Sequence, residues 1–161
     1  MAIKSRRIGE QVESNTLGRI RVLNNSALDI KAGDILSVTG TSASNGHMTV
    51  GIADANAGGA ALTLATGMKL VASHDIAKTR TGIAVSWKIV TKVDTTAFPG
   101  GAAVAAGQPV YLSDLGTAGN TLNQTASAGP YQKMVGQVIT LSSGAGKKDG
   151  VVLVSPAKWL S

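Results

Sequence analysis

The sequence predicts an all-β protein: a small antiparallel β-barrel or sandwich with an extended N-terminal arm and at most one or two short helices. Three observations predict it. From Asn24 onward, short apolar runs alternate with polar residues at period two, the signature of half-buried strands. Gly, Asn, Asp, Ser and Thr punctuate those runs at roughly 8–12-residue spacing, the rhythm of a sandwich or barrel. Gly58-Gly59 interrupts Ala53–Leu64, the stretch with alanine enough for a helix, and each Gly costs about 1 kcal/mol against Ala.

Taken in order, residues 1–24 form an extended basic arm and residues 25–161 a β-rich body. The arm is dense in charge and lacks the Gly-rich turns of the body. At its end Arg19-Ile20-Arg21-Val22-Leu23 alternates as a strand, with the arginines out and Ile20 and Val22 in. Asp34–Thr39 is the first body strand. Val85–Val93 is expected as one continuous strand, with Val85, Trp87, Ile89 and Val93 on one face and Lys88 and Lys92 on the other. Such alternation describes a sheet that is wet on one side, as antiparallel sheets often are. Gln108–Ser113 follows, and Pro109 suits the start of a strand, where a missing N–H costs least. Lys133–Leu141 and Gly150–Val154 complete the set. Asn45-Gly46 and Asp149-Gly150 read as tight hairpin turns, since both central residues accept positive φ. Short helices are expected around Asp94–Phe98 or in the arm.

The body contains an internal echo. Ala32-Gly33-Asp34-Ile35-Leu36-Ser37-Val38-Thr39 resembles Ala106-Gly107-Gln108-Pro109-Val110-Tyr111-Leu112-Ser113. Val50-Gly51-Ile52-Ala53 follows the first copy, and Val135-Gly136-Gln137-Val138 follows the second. Each unit is a Gly turn, an alternating strand, a polar loop and a strand with a Gly on one face. Gly51 and Gly136 are expected where a bulge forms or a backbone approaches closely.

The chemistry-bearing residues are sparse. With no cysteine there is no disulfide framework, thiol nucleophile or Cys-ligated metal. A serine triad would have to draw on His47 or His74 with Ser42, Ser44 or Ser73. No Gly-x-Ser-x-Gly elbow is present, and Asp75 beside His74 would point to the other face of a strand. Asp29, Asp34, Asp114 and Asp149 occupy turn positions, where carboxylates bond their own backbone. Ser143–Lys148 mimics a phosphate loop but lacks the first Gly and the Ser or Thr after Lys147; a hairpin loop explains it better. Asp54-Ala55-Asn56 opens like a calcium loop that no Glu closes. The reading is therefore not an enzyme, with no catalytic, cofactor or metal residue assigned. The start Met1–Arg7 is basic without an apolar segment behind it, so no signal peptide is expected, and no run of 18 apolar residues crosses a membrane.

The net charge of +6 raises three possibilities: nucleic acid, an anionic membrane surface or an acidic protein partner. Nucleic acid is disfavoured, because single-strand binders interleave basic and stacking aromatic residues, and the aromatics, 3% of the chain, are scattered away from the arm. A basic nucleic-acid-binding domain and a lectin-like or receptor-binding β module remain the alternatives.

Ala32-Gly33-Asp34-Ile35-Leu36, Val50-Gly51-Ile52-Ala53, Ala105-Ala106-Gly107-Gln108-Pro109-Val110-Tyr111-Leu112 and Val135-Gly136-Gln137-Val138 resemble, in this order, the capsid decoration (cement) proteins of tailed bacteriophages. The likeness covers about residues 30–154. The stretch Asn56–Lys69 and the basic arm depart from the compact pattern of that family. The resemblance implies a structural virion protein made in the host cytoplasm that binds the outer capsid surface and clamps major capsid protein subunits. It further implies a homo-oligomer, a trimer rather than a dimer. Lys4, Arg6, Arg7, Arg19 and Arg21 become the candidate capsid-interaction residues. The arm would add a strand to a capsid edge, and deleting residues 2–23 is expected to leave a folded body that no longer binds.

Overall fold

The computed structural model describes residues 18–98, 100–119, 121–124 and 133–156. The first half is a closed five-stranded barrel of β1 (Arg19–Asn24), β2 (Ile35–Thr41), β3 (Met48–Ile52), β4 (Lys69–Ala72) and β5 (Thr81–Val85), in spatial order β1-β3-β2-β4-β5. The second half is a five-stranded antiparallel sheet of β6 (Lys88–Val93), β7 (Pro109–Leu112), β8 (Leu122–Asn123), β9 (Met134–Thr140) and β10 (Gly150–Val154), in order β6-β10-β9-β7-β8. One short helix, α1 (Leu62–Thr66), follows a 3-10 turn at Gly59–Ala61. The chain is all-β with a small barrel, as its alternation predicts.

Two apolar cores organise this arrangement. Val22, Leu36, Val50, Ile52, Leu70, Ala72 and Ala84 fill the barrel. Ile35, Ala53 and Val71 face the other way and pack against Val110, Val138, Val152 and Val154 of the second sheet. Strands β2 and β4 are therefore buried on both faces. This corrects the expectation of sheets wet on one side: it holds at β1, where Arg19 and Arg21 are exposed and Val22 is buried, and fails where the sheet covers the barrel.

The boundary of the arm moves. Arg19–Asn24 pairs in parallel with β3 through Val22↔Met48 and antiparallel with β5 through Arg19↔Val85 and Ile20↔Ala84. It is the strand that closes the barrel. A deletion of residues 2–23 would thus open the barrel and could not leave a folded body. Residues 1–17 lie outside the described residues.

The stretch read as one strand, Val85–Val93, is two. The chain leaves the barrel at Val85, passes Ser86-Trp87, and joins the second sheet at Lys88. The inward face also inverts between Lys88 and Thr91, while Val85 and Val93 pack inward as expected. Val90 packs on the second core while Ile89 is exposed, and the Lys88 Nζ is held at 2.6 Å by the carbonyl of Ser73. Alternation alone cannot register a strand whose barrel-side neighbour takes a lysine.

Turns differ in detail too. The β2–β3 connection is a hairpin loop, with Gly46 at φ +69° and the Asn45 side chain accepting the His47 N–H at 3.0 Å. The β9–β10 reversal instead occurs at Gly144–Lys147, with Gly146 at φ +76°. Asp149 braces that loop by accepting from the Ser143 N–H and hydroxyl, and Gly150 is already a buried strand residue. Asp94–Phe98 is a turn stapled by Asp94 to Thr96, not a helix. The helix forms at Leu62–Thr66, past Gly58-Gly59, and ends at Gly67, where a Cβ would lie 2.7 Å from the carbonyls of Thr63 and Val38.

The internal echo has a common geometry. Gly33 at φ +90° and Gly107 at φ +86° sit at the same place in two turns, with Asp34 N–H bonded to the Lys31 carbonyl and Gln108 N–H to that of Ala105. The next side chain caps each turn. Asp34 accepts from Lys31 N–H at 2.8 Å, and Gln108 Oε1 accepts from Val104 and Ala105 N–H at 2.6 and 2.9 Å. Each turn feeds a strand that pairs antiparallel with the echoed Gly strand, Ser37↔Gly51 in the barrel and Val110↔Gly136 in the sheet. At Gly136 an added Cβ would collide with the Leu153 carbonyl, the close backbone approach expected there.

Candidate interaction surfaces

Of the histidines and serines considered for a triad, His74, Ser42 and Ser44 bond to near neighbours. His74 accepts the Ile83 N–H at Nε2 (3.2 Å), so its Nδ1 carries the proton and donates to the Asp75 carbonyl at 2.7 Å. Both ring nitrogens are spent on backbone. Ser42 and Ser44 bond each other at 3.0 Å. Among the described residues no three His, Asp or Glu side chains gather as a metal site. No described helix is long and apolar enough to cross a membrane.

The structure brings together two of the five candidate arm residues. Arg19 and Arg21 stand two apart on β1, exposed on the barrel's outer face opposite Val85 and Ile83. Their direction follows from the sequence, since Ile20 and Val22 turn inward beside them. Lys4, Arg6 and Arg7 lie outside the described residues, as do Tyr131 and Trp159. Of the other aromatics, Phe98 is in the core and Trp87 is 59% exposed.

The second sheet also carries an apolar outer face. Leu153 pairs with Ile89 on one side and Gln137 on the other, and Val151 pairs with Thr91 and Thr140. Cross-strand partners share a face, so these side chains line the side of the second sheet turned away from Val152 and Val154. Ile89 is 49% exposed there, and none of the paired residues is charged. Sequence patterning put Ile89 inside, so this face was hidden by the inverted register of β6.

Two buried charges hold the frame. Asp34 lies where the barrel meets the second sheet, accepting from Lys31 N–H and from Gly119 N–H at 2.8 Å each. Burial pushes its carboxyl above the usual range, against the pull of those hydrogen bonds. Lys69, buried in β4, donates to the carbonyls of Gly67 at 2.7 Å and Leu64 at 3.2 Å, beyond the C-terminus of α1. Burial, with the Lys133 charge behind it, brings its amine down to about 8. Nothing in the sequence marks Lys69, because a lone lysine before Leu-Val-Ala looks like any strand's solvated edge.

A cleft of about 350 Å³ opens between β6, the turn Ala32–Asp34 and the segment near Gly119 and Thr121. Lys92 and Lys148 stand on it. Asp94, on the same cleft, is held below the usual carboxylate range chiefly by the Thr96 hydroxyl, with backbone N–H groups of Thr96 and Gly146 assisting. No protein-family model, curated protein or solved structure matches this chain.

Proposed function

We propose that this chain is a structural virion protein, a capsid decoration (cement) protein of a tailed bacteriophage, that binds the outside of the head and ties major capsid protein subunits together. The observation that carries the reading is the repeated unit on which the resemblance rests. The two Ala-Gly turns are capped alike by Asp34 and Gln108, and each feeds a strand paired to its Gly-bearing partner. The short segments that resemble the family are thus one structural device used twice.

Two surface features agree with a docking role. Arg19 and Arg21 give the barrel a basic outer strand, suited to an acidic capsid exterior. The outer face of the second sheet, whose paired residues carry no charge and where Ile89 is exposed, offers a contact for copies of the chain in a homo-oligomer, a trimer for preference. Many identical sites on a head multiply modest affinity per subunit by avidity. Since β1 is paired on both sides, any strand donated to a capsid edge comes from the residues before Gly18.

Co-sedimentation with expanded, undecorated heads of candidate phages, titrated to saturation, tests the proposal. Saturation at a fixed copy number, with heads made more heat-resistant, is the expected result. A chain lacking residues 2–17 is expected to keep its melting temperature and lose the binding. Absence of binding across the panel would overturn the reading, and equal binding by the truncated chain would remove the arm from it.

A further inference from the structure

An edge of the second sheet faces the cleft. Among the described residues β6 pairs with β10 alone and stands at the end of its sheet. In an antiparallel sheet, alternate residues of such a strand direct N–H and C=O groups away from their single partner, a template for another strand. Along Val90–Asp94 this side borders the cleft of about 350 Å³, at the lower end of the range of ligand sites. Val90, Phe98 and Leu122 give it an apolar lining, and the turn Ala32–Asp34 stands opposite.

The charges of this cleft are unequal in what they can still bond. Lys92 is the extra residue of a β-bulge: Gly150 pairs with Val93 and Val151 with Thr91, leaving Lys92 unpaired at φ +60°. Bulges re-aim side chains, and this one sets an exposed ammonium on the cleft. Lys148 reaches the same cleft from the β9–β10 loop. The carboxylates beside them are already engaged, Asp34 by the N–H groups of Lys31 and Gly119, Asp94 by Thr96 and Gly146. Neither lysine makes an ion pair, the one such pair among the described residues being Lys31 with Asp75. The Val93 carbonyl is taken by the Ser142 hydroxyl at 3.0 Å. Among the described residues the cleft therefore offers charged donors, an apolar lining and a β6 main-chain edge that is open up to the bulge at Lys92.

We infer that this cleft is a docking groove for an extended acidic segment of a partner protein, which adds main-chain hydrogen bonds along β6 at Val90-Thr91, up to the bulge, and sets a carboxylate against Lys92 and Lys148. Main-chain pairing supplies affinity in this mode, and alternate side chains supply selectivity. The groove is separate from the arm and β1, and it operates whether or not the partner is a capsid protein.

The test is an NMR titration of the ¹⁵N-labelled full chain with a blocked pentapeptide Val-Glu-Val-Glu-Val, beside Val-Lys-Val-Lys-Val and free glutarate. With the Glu peptide, the amides of Thr91–Asp94, Gly33 and Lys148 are expected to shift and the β6 amides to exchange more slowly. The Lys peptide leaves them unmoved. Lys92→Gly suits the positive φ, and Lys148→Ala lies in an exposed loop, so both variants are expected to melt as the parent does. Together they weaken Glu-peptide binding about tenfold, the scale of two rim charges. Equal shifts with the Lys peptide, or no response at millimolar Glu peptide, would overturn the inference. So would the same shifts with glutarate alone, which would mark a small-anion site instead.

Discussion

Single residues in this chain divide by what their neighbours leave room for. A Cβ at Gly136 meets the Leu153 carbonyl, a backbone atom that cannot swing aside, whereas a Cβ at Gly46 meets nothing within 4 Å and only the strain of φ +69°. Gly136→Ala is expected to cost about 3 kcal/mol or more, through a forced shift of β9 against β10. Gly46→Ala is expected to cost about 1 kcal/mol. Urea unfolding of the two variants checks the contrast, and equal losses would contradict the close approach. Lys69 supplies a second residue-scale expectation. Its amine titrates near 8 when folded, against 10.5 as the ordinary value. Between those values the unfolded chain binds the additional proton, so this group makes stability rise with pH across that window; below 8 both states are charged and its penalty is present in full. The pH dependence of the urea midpoint, measured from pH 7.5 to about 10.5, is expected to contain this rise in the parent chain and lose it in Lys69→Met. Parallel profiles would show that burial does not depress the amine. The alternation around Lys69 gave no hint of any of this, because the carbonyls of Leu64 and Gly67 that hold its amine belong to α1 and the bend after it, where a period of two says nothing.

At the scale of elements, the two echoed turns let one design be read in two environments. Asp34 is 2% exposed and links its own turn to Gly119, while Gln108 caps a turn whose N–H groups are open to water. Asp34→Ala leaves the part-buried N–H groups of Lys31 and Gly119 without their acceptor and is expected to cost about 2 kcal/mol. Gln108→Ala, whose donors turn to solvent, is expected to cost about 1 kcal/mol or less. Thermal denaturation of both variants measures the difference, and similar losses would mean that the link to Gly119 contributes nothing. The turns were legible in sequence because Ala-Gly-Asp and Ala-Gly-Gln carry their own signals: a glycine for positive φ and a side chain able to bond backward. Most strand positions were legible for the same local reason, but β4, β5 and β8 were not. Lys69–Ala72 is apolar after its lysine, without alternation, Thr81–Val85 ends where an apparent longer strand begins, and Leu122-Asn123 is too short to show a period. Facing was not legible. The register of β6 depends on Lys88 reaching Ser73 and on a bulge at Lys92, and the end of the arm depends on β1 finding β3 and β5. Removal of residues 2–17 therefore keeps every barrel ladder among the described residues, while removal of residues 2–23 strips β1 and opens β3 and β5. Circular dichroism melts are expected to show a parent-like transition for the first and no cooperative transition for the second.

For the whole molecule, the doubly buried strands decide how the halves behave. Leu36 and Leu70 point into the barrel while their neighbours Ile35 and Val71 form the floor on which the second sheet rests. Full burial of a Val, Leu or Ile side chain contributes about 1.5–3 kcal/mol, so a barrel without the sheet would expose several such contributions at once. Polar ties cross the same boundary: Ala55 N–H to the Ser113 carbonyl at 2.9 Å, Ile35 N–H to the Thr121 hydroxyl at 3.0 Å, and Lys88 Nζ to the Ser73 carbonyl. Neither half can open without leaving donors unpaired in the other. The chain is thus expected to unfold as one cooperative unit despite its two sheets, with a calorimetric enthalpy matching the van't Hoff value. Amide exchange gives the sharper check, because Val50 in β3 and Val152 in β10 are buried in different cores and bound to different ladders. Equal free energies of opening at the two positions are expected. Earlier opening of the barrel, seen as lower protection at Val50, would mean that the shared strands do not couple the cores, and that a partner on one sheet leaves the stability of the other untouched.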